Sequence, residues 1–127
     1  MGSTNGTSVE VEYFKLDDGS IPALDFIEGQ PVKMRAKLFK NIGLLEEFGT
    51  ALRMPYSEPL VDGIFQIRAV LGSDITRVLY FFVVGGKAIL THGFVKKDVK
   101  TPKSEIDRAK KYREAYMRRL EKEGQGS

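Results

Sequence analysis

The chain contains no cysteine and no tryptophan, and one histidine in 127 residues. The missing thiols exclude disulfides, thiolate metal sites and cysteine nucleophiles. A single imidazole excludes a multi-histidine metal centre. Long apolar runs are also missing. The longest, VLYFFVV at residues 78–84, has the length of a strand and falls far short of a membrane span. No cationic segment followed by an apolar stretch opens the chain, so a signal peptide is not expected. There is no Gly-rich phosphate loop, no nucleophile elbow and no carboxylate cluster at metal-binding spacing.

What is present suits one modest soluble domain. Residues 1–8 (MGSTNGTS) are polar and aperiodic and read as an expression remnant or disordered leader. Residues 124–127 read as a frayed tail, leaving a single domain over residues 9–123. The net charge of +3 is unevenly spread. Residues 1–59 carry six Lys/Arg against nine Asp/Glu, a net −3. Residues 60–127 carry fourteen against eight, a net +6. A basic half points to a polyanionic partner such as nucleic acid, or else to a solubilising face.

Residues 9–19 (VEVEYFKLDDG) alternate and then break at Asp-Asp-Gly, which predicts a strand and a turn. Pro22 and Gly29 bracket a short helix. Met34, Leu38, Ile42, Leu45 and Phe48 recur at spacings of three and four, the mark of an amphipathic helix. Gly43 inside it costs about 1 kcal/mol relative to Ala, which a close packing contact would explain. Residues 53–59 (RMPYSEP) read as a loop. DGIFQIRAVL, ITRVLYFFVV and KAILTHGFVKK, joined by GSD and GG, predict three antiparallel strands in a meander. Thr101 as N-cap, Pro102 at the first helical position and Glu105 in the first turn open a last helix. The fold class is therefore α+β: a small antiparallel sheet of an N-terminal strand and the meander, two N-terminal helices and a C-terminal helix.

Strand alternation groups the side chains. Gln66 and Arg68 share one side of their run, and Arg77, Leu79 and Phe81 one side of theirs. Leu90, His92, Phe94 and Lys96 fall together, opposite Ile89, Thr91, Val95 and Lys97. Cations inside apolar runs must reach water, a partner or a charged ligand. Arg68, Arg77, Lys96 and Lys97 converging on one side would hold phosphates. Singly, each has a plainer reading. The arginines pair with Asp62, Asp74 or Glu105, the lysines end a strand at water, and His92, Tyr80 and Phe94 belong to the core.

The ordered set DGIFQIR, RVLYFFVVGGKAILTHGFVKK and TPKSEIDRAKKYREAY, over residues 60–116, resembles the phage-derived HigB branch of the RelE/ParE toxin superfamily. That branch carries Gly-Leu/Ile-Phe/Trp-Glu-Leu-Arg, Arg-x-x-Tyr, Leu-His-x-Phe-x-Lys-Lys and Thr-Pro-x-x-Glu-Ile-x-x-Ala in this order. Gln66 stands where the branch usually has Glu, and Thr91 where it commonly has an apolar residue. The missing carboxylate leaves Arg68 or Arg77 freer, or changes their geometry.

The resemblance implies a RelE-like fold and a cytoplasmic type II toxin. It implies a metal- and cofactor-independent endoribonuclease that cuts mRNA, commonly in the ribosomal decoding site. In that chemistry the RNA's 2′-hydroxyl attacks the adjacent phosphate. The catalytic set it implies is Arg68, Arg77, Lys96, Lys97 and His92, with His92 ranked below the cations. Tyr80, Phe94, Lys100, Tyr112 and Arg113 are the RNA-binding candidates. The implied partners are mRNA, the ribosome and a HigA-like helix-turn-helix antitoxin that masks the basic face, with no membrane. A ParE-like gyrase inhibitor and a non-catalytic nucleic-acid-binding phage module are the alternatives.

Overall fold

The computed structural model describes residues 8–97 and 100–126. Most of the expected leader and the terminal Ser127 lie outside them. The elements run β1 (Glu10–Tyr13), α1 (Pro22–Glu28), α2 (Val32–Phe48), a 3₁₀ turn (Gly49–Ala51) and β2 (Ser57–Pro59). They continue with β3 (Phe65–Leu71), β4 (Asp74–Val83), β5 (Lys87–Val95) and α3 (Lys103–Gly126). The α+β class stands. No helix among the described residues is long and apolar enough to cross a membrane.

The sheet has five strands in the order β1-β5-β4-β3-β2. The meander β3-β4-β5 is antiparallel, as its short Gly-containing links require. Two sequence expectations need correction. First, β1 lies parallel to β5, with Glu10 opposite Lys87 and Tyr13 opposite Leu90, so the sheet is mixed. Alternation reveals a strand but not its direction. Second, the segment read as a loop contains β2, which pairs with β3 through Ser57–Ile67, Glu58–Gln66 and Pro59–Phe65. A proline is tolerated there because β2 is an edge strand.

The sheet buries both faces. Against α1 and α2 pack Ile67, Ala69, Val78, Tyr80, Ala88 and Leu90, meeting Ala23, Ile27, Met34, Leu38, Ile42 and Leu45. Phe48, the last residue of the expected apolar stripe, is instead exposed. Gly43 has open space where a Cβ would stand, so no close contact accounts for it. Gly93 does have one: a Cβ there would come within 2.3 Å of the Phe26 ring. Against α3 pack Leu79, Phe81 and Ile89, with Phe14, Ile64, Ala109 and Tyr116.

A break in register decides the contents of the second face. Leu79 stands opposite His92 while Tyr80 stands opposite Leu90, so Thr91 is one extra residue in β5. This bulge reverses the alternation. Leu90 faces α1 and α2, but His92 and Phe94 join Leu79 and Arg77 on the α3 face. The expectation that Leu90 and His92 share a side fails at this residue.

Candidate functional site

The α3 helix packs over Leu79, Phe81 and Ile89, and a cleft lies near its N-terminus. Arg68 and Arg77 lie directly opposite each other across β3 and β4. Like charges in that position repel, and neither has a carboxylate hydrogen-bonded to it among the described residues. Arg77 is only 4% exposed. Its Nη1–H donates to Thr101 Oγ1 at 2.9 Å, while its Nε–H is buried without a partner among the described residues. Burial, then the neighbouring Arg68, pulls its pKa below the ordinary arginine value, and Glu58 opposes this. Arg68 reaches the Pro55 carbonyl at 3.4 Å.

Lys96 follows β5, and its backbone N–H donates to the Ile75 carbonyl. Its ammonium pKa is lowered by desolvation, then by Arg77 and Arg68. The fold therefore brings three of the four expected cations together. Lys97 is exposed, and its side chain has no hydrogen bond or ion pair among the described residues.

Beside Arg77 lies a cleft of about 280 Å³, lined by Glu58, Gln66, Arg77, Lys100, Thr101 and Ile106. Lys100 is thus placed at the site and exposed. Gln66 is fully buried. Its amide donates to Glu58 Oε1 at 2.9 Å, and its carbonyl oxygen accepts the Thr101 hydroxyl at 2.5 Å. Thr101, expected as an N-cap, directs its hydroxyl into this string, and the helix begins at Lys103 with the Pro102 carbonyl accepting the Ile106 N–H. Sequence reasoning missed Glu58 because β2 was read as loop. Its signal was faint: Pro59 suits an edge strand, but no pattern shows which residue it would pair with.

The remaining candidates lie elsewhere. His92 is 1% exposed, beneath α3. Its Nε2 meets Glu105 Oε1 at 2.9 Å and its Nδ1 meets the Thr91 hydroxyl at 3.1 Å. Burial, then Arg108, lowers its pKa to about 4 against the opposing pull of Glu105. The imidazole is therefore neutral near pH 7 and donates from Nε2 to Glu105, while the Thr91 hydroxyl beside Nδ1 donates to the Leu79 carbonyl. It ties α3 to the sheet and does not join the cations.

Tyr80, expected to touch RNA, is buried on the α1/α2 face with its hydroxyl bonded to Ser57. Phe94 packs into the core beneath α3. Tyr112 stacks on Phe14 at 4.8 Å, and the Arg108 guanidinium lies 5.5 Å from its ring centre. Arg113 donates to the Asp62 carbonyl at 2.6 Å. These four side chains are occupied by the protein itself.

Chemically, this end of the sheet offers a fixed guanidinium and Lys100 on a small cleft with the Glu58 carboxylate, and two further cations, Arg68 and Lys96, beside Arg77. Such a set can hold a phosphodiester and stabilise charge that develops on it. No curated protein matches the chain. Residues 25–114 match the family described as Phage derived protein Gp49-like (DUF891), a span that takes in α2, the meander, the cationic cluster and the first half of α3. The chain belongs to this phage-derived Gp49-like family.

Proposed function

We propose that this protein is the toxin of a type II toxin–antitoxin pair and acts as an endoribonuclease on mRNA. One observation carries the reading: Arg77, Arg68 and Lys96 lie together at one end of the sheet with no carboxylate hydrogen-bonded to them among the described residues, beside a cleft lined by Glu58. Membership of the phage-derived family and the motif order of residues 60–116 support it.

In the proposed reaction the 2′-oxygen of a ribose attacks the adjacent phosphorus, its proton passing to the Glu58 carboxylate. The bond from phosphorus to the 5′-oxygen breaks, leaving a 2′,3′-cyclic phosphate, and the 5′-oxygen takes a proton. Arg77 and Arg68 stabilise the extra negative charge on the phosphate. Lys96, whose pKa desolvation and then its cationic neighbours depress, is the better placed acid for the leaving oxygen. His92 takes no part, because it is buried and neutral. Lys100 holds the flanking backbone. Ribosome-bound mRNA is the proposed substrate, and a helix-turn-helix antitoxin resembling HigA is the proposed partner, with acidic groups that cover the cations.

The test is brief induction followed by mapping of RNA 5′ ends, with Arg77→Ala as control. Cuts within translated codons that fall by about 10²–10³-fold in the variant are expected, the usual cost of removing one oxyanion donor. Unchanged cellular RNA with DNA breaks would replace this reading with gyrase inhibition. Salt-sensitive RNA binding without cleavage, with or without ribosomes, would replace it with a binding module.

A further inference from the structure

Four side chains from four separate segments form one directed string: Arg77 of β4, Thr101 before α3, Gln66 of β3 and Glu58 of β2. The two ends determine the direction of every bond. A guanidinium can only donate and a carboxylate can only accept. Thr101 must therefore accept from Arg77 and donate to Gln66, whose amide must donate to Glu58. The result separates cation from anion by two neutral groups. A glutamate at position 66 would stand one hydrogen bond from Thr101 and bring negative charge next to Arg77. Glutamine at that place gives Arg77 an anchor without neutralising it.

We infer that Thr101 and Gln66 form a neutral bridge that positions the Arg77 guanidinium while keeping its charge available to a phosphate anion. Thr101 is then a positioning residue whose hydroxyl is needed and whose methyl group is not. The bridge depends on the ribonuclease reading only for its effect on cleavage. Its effect on Arg77 and on anion binding is independent of turnover.

The experiment uses the full chain and three readouts. The first is the side-chain ¹⁵N–¹H signals of Arg77 and their exchange with water. The second is the affinity for a labelled DNA oligonucleotide, which lacks the 2′-hydroxyl and cannot be cleaved by the proposed route. The third is RNA cleavage. Thr101→Val is expected to speed Arg77 exchange and to weaken oligonucleotide binding about tenfold, the effect of one lost charge-assisted hydrogen bond. Thr101→Ser is expected to restore both. Gln66→Glu is expected to weaken binding at neutral pH and to recover it as the new carboxylate is protonated. Because position 66 is buried, the Thr101 pair decides the matter if that variant does not fold. Wild-type exchange and affinity in Thr101→Val would overturn the bridge, even with RNA cleavage intact. Altered Arg77 exchange in a protein that cleaves no RNA would uphold the bridge and remove the ribonuclease reading.

Discussion

The two faces of the sheet are built from the same strands but hold different chemistry. The face toward α1 and α2 is a dry core in which Leu38, Leu45, Ile67, Val78 and Leu90 are fully buried. Its polar members are neutral and paired, as with Thr76 against Met34 Sδ and Ser57 against Tyr80. The face toward α3 carries the buried arginine and histidine, Arg77 and His92. Helix α3 covers the half that contains His92, while Arg77, also buried, lines the cleft beside Glu58 and Gln66. One face thus stabilises the fold, while the other trades some stability for positioned charge.

The sharpest way to separate the faces is to damage each alone. Leu38→Ala, on the dry side, should cost about 2–5 kcal/mol in urea denaturation. It should leave the kinetic behaviour of the surviving folded protein unchanged. A linked change in RNA affinity per folded molecule would show that the faces are not independent.

A second contrast is acid sensitivity. The folded pKa of His92, about 4, lies below the ordinary 6.5. Between those values the unfolded chain binds the extra proton, so stability rises with pH. The full contribution is present above about pH 6.5 and is lost as pH falls toward 4, on the order of 3 kcal/mol. His92→Leu should flatten this part of a stability–pH profile measured by thermal melting. A slope that survives the substitution would place the acid-sensitive group elsewhere.

Tyr80→Phe tests the reassignment of that residue to the dry face. The loss of its bond to Ser57 should cost about 1 kcal/mol of stability, with no change in RNA binding by fluorescence anisotropy. The smallest effect concerns the two adjacent lysines. Lys96→Ala should reduce the salt dependence of nucleic-acid binding by about one unit of log–log slope, and Lys97→Ala by much less. Equal slopes would mean that both lysines face the ligand.

The meander, α2 and the start of α3 were legible because each rests on a local signal: period-two alternation, a 3.6-residue stripe, Gly-bearing links and a proline step. Arg68, Arg77 and Lys96 were legible as cations set in apolar runs, which burial makes conspicuous. For His92 and Tyr80 the plainer core reading holds, but strand parity alone did not give their faces and partners. Alternation assumes an unbroken strand, and the extra residue at Thr91 sends His92 to the opposite face from Leu90. Tyr80 matched a motif, but its parity with Val78 and Phe82 placed it under α2. Glu58 escaped notice because pairing of a three-residue edge strand is a long-range event with no periodicity of its own.

Composition, periodicity and turn chemistry by themselves determined the class of the fold, the order of its main elements and the cationic character of the second half, since all three act over a few residues. Only the tertiary structure decided the parallel pairing of β1 with β5, the bulge that buries His92, and the string from Glu58 through Gln66 and Thr101 to Arg77. Each of these depends on which distant segments meet, and the free energy that selects those meetings comes from burial across the whole sheet.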